Sequence, residues 1–180
     1  MGIIMTDPWR VPAEKPTDYH KVKVTEGRKF MLRLNTGADV NLAISKFAKD
    51  HDIMFGRIHC SFQGGFQPAK VMFWTPNTVD PEKWDGETTA TFSNLSMGLQ
   101  MSGVIRPRIY KGIAEPSAAI HFTIGGGWDM PTVGGHLADG TIVKGVCSVF
   151  ITELLGIKER IPADYDPTSE RRPPVWFIEK

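Results

Sequence analysis

The sequence predicts an α+β fold, an antiparallel β-sheet packed with one main α-helix and flanked by extended N- and C-terminal arms. Three observations predict it. Val40, Ala43, Ile44, Phe47 and Ala48 recur at i, i+3, i+4, i+7 and i+8, the apolar stripe of a helix. Several other segments alternate with period two, as half-buried strands do. Strands and helices do not alternate in a βαβ rhythm, which argues against a parallel sheet.

The elements follow in order. Seven of the 13 prolines lie in residues 1–27 and 156–180, where they disfavour helix interiors and central strands. These segments read as arms around a domain of residues 28–155. They carry Trp9 and Val175-Trp176-Phe177-Ile178, and free tails are poor in such residues, so the arms are expected to pack on the core or on a neighbouring subunit. Phe30, Leu32 and Leu34 alternate as a strand. Thr36, with Asp39 three residues later, reads as a capping box at the start of the helix. Lys46, Lys49 and Asp50 take the helix's polar side, and His51 near its end favours the macrodipole. Residues 56–62 and 69–75 are β-rich, and residues 76–95 read as a long polar loop. Residues 97–105 and 118–124 read as strands, the second with Ala118, Ile120, Phe122 and Ile124 on one face and Ala119, His121 and Thr123 on the other. A last strand is expected over residues 141–152.

Charge limits the function. Lys plus Arg number 21 and Asp plus Glu 20 in 180 residues. Each arm is neutral, so the net +1 resides in the core, and no basic tail is hidden by averaging. A phosphate-binding protein needs a basic face, which here must be local. Arg106, Arg108 and Lys111 form the one basic cluster and are the candidate contacts to an anion or nucleic acid. The N-terminal residues have neither a basic n-region nor an apolar run, and no segment reaches the roughly 20 apolar residues that span a bilayer. With only Cys60 and Cys147, no disulfide framework is expected. A cytoplasmic protein with reduced thiols and no membrane partner is the expectation.

The richest segment for chemistry runs from His121 to Leu137. Two histidines, His121 and His136, bracket a glycine-rich stretch. Neutral imidazole is a common ligand for a divalent metal such as zinc. Gly125, Gly126, Gly127 and Gly135 allow close backbone approach, which makes them candidate ligand contacts. His59 is a candidate third ligand. It cannot form a dyad with Cys60, because adjacent strand residues point to opposite faces. The glycines lack the Lys and helix of a phosphate loop, and zinc-protease, zinc-finger and nucleophile-elbow motifs are missing. No catalytic residue is assigned.

Leu32-Arg33-Leu34-Asn35-Thr36-Gly37-Ala38-Asp39-Val40, Phe47-Ala48-Lys49-Asp50-His51-Asp52-Ile53, Gly98-Leu99-Gln100-Met101-Ser102-Gly103-Val104-Ile105, His121-Phe122-Thr123-Ile124-Gly125 and Gly134-Gly135-His136-Leu137 occur in this order. Together they resemble the plants-and-prokaryotes-conserved (PPC) domain family, in its single-domain prokaryotic type. The resemblance implies an antiparallel α+β fold, a homotrimer, and histidines near a subunit boundary that bind metal. It also implies a regulatory, DNA-binding role. The alternative is a metal-assisted enzyme or small-anion-binding protein, in which a metal at His121 and His136 polarises an anionic ligand. Two departures stand out. The family's His-x-His strand has Ala119 at its first position, so His59 is expected to supply a replacement from an adjacent strand. No Arg-Gly-Arg-Pro core occurs, so minor-groove insertion of the AT-hook kind has no agent.

Overall fold

The structure is a computed structural model that describes residues 22–76, 79, 84–110, 113–126, 130–160 and 176–179. Its elements are β1 (Thr25–Leu34), α1 (Val40–Asp50), β2 (Gly56–Gln63), β3 (Gly65–Phe66), β4 (Ala69–Pro76), β5 (Trp84–Phe92), β6 (Ser96–Tyr110), β7 (Ile113–Gly126), β8 (Met130–Leu137), β9 (Cys147–Leu155), β10 (Ile157–Arg160) and β11 (Trp176–Glu179). A nine-stranded sheet has the order β1-β9-β2-β6-β7-β8-β4-β5, with β3 also paired to β6. Its strand pairs are antiparallel. The expected α+β class is what the chain adopts.

Period-two alternation gives the sheet two unlike faces. Leu34, Ile58, Met101, Ile105, Ala118, Ile120, Phe122, Ile124, Val149 and Ile151 are buried on the inner face. The helix lies here, chiefly on β7. Val40, Ile44 and Ala48 are fully buried, and Ala43 and Phe47 pack against the same core. The apolar stripe read from the sequence is therefore the packing face. Ser45 Oγ accepts the Ala118 N–H at 2.9 Å and Lys49 pairs with Glu115 at 2.7 Å, which fixes the helix on the β6–β7 hairpin.

Four expectations need correction. Asp39, rather than Thr36, caps the helix: Asp39 Oδ1 accepts the Leu42 N–H at 3.1 Å. Thr36 is turned outward by Gly37, at φ +89°, and its hydroxyl donates to the Gly145 carbonyl at 2.8 Å. Residues 84–92, expected in a loop, form β5 against β4, because the Thr-rich run suits a half-exposed edge strand. The final strand starts at Cys147. Residues 141–144 instead lace the helix start to β3 and β4, with Val40 N–H donating to Thr141 O and Lys144 N–H to Gly65 O. The strands expected over residues 97–105 and 118–124 belong to a longer hairpin, whose outer half runs beyond the last β2 pairing at Gly56–Ile105. At the ends, residues 25–27 already belong to β1 and β10 pairs with β11, while residues 1–21, 161–175 and 180 lie outside the described residues.

One ion pair ties β1, β9 and the helix end together. Arg28 Nε and Nη2 donate to the two Glu153 oxygens, each at 2.8 Å, and Nη2 also reaches the His51 carbonyl at 2.8 Å. The Glu153 side chain is only 11% exposed. Hydrogen bonds from Arg28 hold its carboxyl below the ordinary carboxylate range, against the opposing push of burial. A carboxyl with a lowered folded value stabilises the fold fully above its unfolded value, about 4.3, and loses that contribution as pH falls through the folded value. Glu153→Gln should therefore be less stable at neutral pH and show a flatter acid limb. Urea midpoints measured across the acid range test this, and parallel acid limbs for the two proteins would contradict it.

Candidate functional site

The β7–β8 hairpin assembles the centre of the site. Its register sets His121 directly opposite His136. Their ring centroids are 5.3 Å apart with planes at 83°. Because Ile120 and Phe122 are buried, alternation turns His121 to the outer face, away from the helix. The glycines bracketed by the histidines serve this hairpin. Gly126 pairs with Met130 at its closed end. A Cβ at Gly135 would lie 2.7 Å from Val71 Cγ1, so that glycine lets β8 lie against β4. Gly125 is buried near Leu99, and Gly127 falls outside the described residues.

The registers extend the pair into a row across the sheet. Met31, Phe150, His59, Ser102, His121, His136 and Met72 are successive cross-strand partners on β1, β9, β2, β6, β7, β8 and β4. His59, Ser102 and His121 are exposed and His136 is half-buried. His59 thus shares the histidine face, but it is not on the adjacent strand as expected: β6 intervenes, and Ser102 stands between His59 and His121. Ala119, the missing family histidine, is on the same face two residues from His121 and opposite Val104.

Two openings flank this row. Gln100, Ser102, His121, Thr123 and Gly134 line a shallow depression of about 320 Å³. His59, Cys60, Gln63, Gly98, Gln100 and Met101 line a smaller cleft of about 120 Å³. The cleft exists because β2 pairs with β6 at His59–Ser102, β3 pairs with it again at Gly65–Met97, and the strands part between. Sequence reasoning missed Ser102 and this cleft, since both depend on pairing between distant segments.

Two imidazoles on one tetrahedral zinc, with Zn–N near 2.0–2.1 Å, set their ring centroids about 5 Å apart. The 5.3 Å spacing of His121 and His136 fits that geometry. Among the described residues, however, no three His, Cys, Asp or Glu side chains converge to hold an ion. Within one chain the hairpin brings two histidines together.

The basic cluster is less concentrated than its sequence suggests. Arg106 is half-buried and faces Ser117, and exposed Arg108 faces Glu115 across the hairpin. Lys111 lies outside the described residues. No helix among the described residues is long and apolar enough to cross a membrane.

No curated protein matches the chain's sequence. Several solved structures share its fold. A plant- and prokaryote-conserved protein of Pyrococcus horikoshii is 19% identical, with a TM-score of 0.63 over 83% of this chain and 94% of its own. A metal-containing protein of Archaeoglobus fulgidus is 22% identical, with a TM-score of 0.62 over 83% and 95%. A Bacteroides thetaiotaomicron protein put forward as DNA-binding is 19% identical, with a TM-score of 0.58 over 83% and 94%. Likeness at these identities concerns the fold. The sequence itself matches the Plants and Prokaryotes Conserved (PCC) domain over residues 21–155, and the chain belongs to that family.

Proposed function

We propose that this chain is a cytoplasmic homotrimeric binding protein whose ligand site is built on the outer-face histidine row. The observation that carries this reading is the opposition of His121 and His136 at a spacing suited to one divalent cation. A zinc-like ion held there would act as a Lewis acid towards a small anionic ligand. The chain's own residues do the rest. Ser102, Gln100 and Thr123 offer hydrogen bonds in the adjoining depression, and the sheet fixes the two imidazoles. A third ligand must come from His59 after rearrangement or from a neighbouring copy. The metal-containing Archaeoglobus fulgidus relative supports the reading.

Elemental analysis of untagged protein tests it. Wild type should hold a divalent metal in fixed ratio to chain, and His136→Ala should hold at least about tenfold less. Equal, near-zero content in both removes the metal from the reading.

A second reading, a regulatory protein that binds DNA, is favoured by the relative put forward as DNA-binding. On this chain it would rest on Arg106, Arg108 and Lys111, repeated by three-fold symmetry. Such binding must retard a duplex in a gel at low salt and weaken steeply as salt rises. No retardation at low salt removes it.

A further inference from the structure

We propose that Cys60 and Cys147 form a peroxide-responsive dithiol, with Cys60 as the attacking thiol and Cys147 as the resolving one. The proposal is independent of the metal and DNA readings. Cys60 of β2 sits opposite Val149 of β9, and Cys147 is two residues from Val149 on the same inner face. The pairing register of β2 with β9 shifts between Cys60 and Phe62 at this point. Cys60 Sγ reaches along β9 and donates to the Ser148 carbonyl at 3.3 Å, on the residue next to Cys147. Both residues are thiols in this structure.

The two thiols have unlike surroundings. Cys147 is fully buried. Cys60 is half-buried and lines the cleft where β2 and β6 part. That cleft, about 120 Å³, has room for a molecule the size of peroxide, since a water's share of liquid volume is about 30 Å³. Its wall holds an unsatisfied acceptor: Gln63 Oε1 is buried with no hydrogen-bond donor. A Cβ at Gly98 would lie 2.1 Å from that oxygen, so the glycine makes room for the amide. An O–H of peroxide would supply the missing donor. Cys147 is closed off in the core while Cys60 opens on the cleft, so Cys60 is the thiol that an entering peroxide meets first.

The steps balance. The Cys60 thiolate attacks one oxygen of hydrogen peroxide; an S–O bond forms, the O–O bond breaks, and hydroxide leaves to become water. The Cys147 sulfur then attacks the Cys60 sulfur; the S–S bond forms, the S–O bond breaks, and the departing hydroxide takes the Cys147 proton as a second water. Two thiols lose two electrons, and one peroxide becomes two waters.

Intact-mass spectrometry of the folded protein after stoichiometric hydrogen peroxide tests this. The expected product is a monomeric chain lighter by two hydrogens, with both thiols lost together and both restored by dithiothreitol. Cys147→Ser should instead give a sulfenic acid on Cys60 that dimedone traps. In wild type, a maleimide should label Cys60 at least about tenfold faster than Cys147. Retention of both thiols, disulfide-linked dimers, or faster labelling of Cys147 would overturn the proposal, and each can be read on wild type alone.

Discussion

Gly103→Val should unfold the protein or lower its melting temperature by about 6–12 °C, the shift expected for a loss near 3 kcal/mol in a chain of this size. Gly103 sits mid-sheet on β6, paired with Ile120 of β7. Its backbone is not in the left-handed region; the constraint is proximity. A Cβ there would lie 2.3 Å from the Ala119 carbonyl oxygen and 2.9 Å from Ile120 Cα. Both are backbone atoms of the strand that carries His121 and supports the helix, so neither can swing aside as a side chain would. The sheet would have to open between β6 and β7, at a cost that is a large share of the usual 5–15 kcal/mol of total stability. Gly134→Ala is the control. Its Cβ would meet the Thr123 hydroxyl at 3.2 Å and Phe122 O at 3.3 Å, contacts that a few tenths of an ångström relieve. Thermal melts of the two variants should differ by several degrees. Equal melting temperatures would show that the β6–β7 approach is looser than the structure has it.

Short-range pattern was legible in the sequence, and long-range pairing was not. Ala118, Ile120, Phe122 and Ile124 alternate because one sheet face meets the helix, and all four are buried. The stripe of α1 was legible for the same reason. The helix cap was misplaced by three residues because Thr36 and Asp39 are both good cap formers; the choice was made by Thr36's bonds to distant Gly145. β5 was hidden because its polar residues suit an edge strand, which needs only one buried face and one partner. At the site, His121 and His136 stood out in the sequence because they bracket a glycine-rich stretch, but their opposition depends on β8, which the alternation did not mark. His59 could not be placed, since its separation from His121 depends on β6 entering between β2 and β7. The Arg106–Lys111 run looked like a basic patch because sequence shows neighbours along the chain and hides Glu115, which the hairpin sets against Arg108. The thiols are another case: 87 positions apart, they meet because β2 and β9 are adjacent.

Phe150→Asp should convert the proposed trimer into single chains while leaving the subunit folded. The outer sheet face carries more apolar surface than a solvated face needs. Phe150 is 43% exposed, Met31 opposite it on β1 is 65% exposed, and Val104 is 44% exposed. The helix is committed to the other face, so nothing among the described elements covers these side chains. Burial against a second copy would remove them from water at roughly 25 cal/mol per Å². A carboxylate in the same place would have to be desolvated in every copy, which costs several kcal/mol per ion. Within one chain the same change is mild, because position 150 already faces outward and a polar residue on an exposed strand face alters stability by about 1 kcal/mol. Analytical ultracentrifugation should give near three times 20.0 kDa for wild type and one times for the variant, with unchanged circular dichroism. Phe150 adjoins His59 in the row, so loss of the trimer should also lower metal content if the third ligand comes from another copy. A variant that stays trimeric would move the subunit interface off this face, and a wild type that sediments as a monomer would remove the trimer from the proposed function.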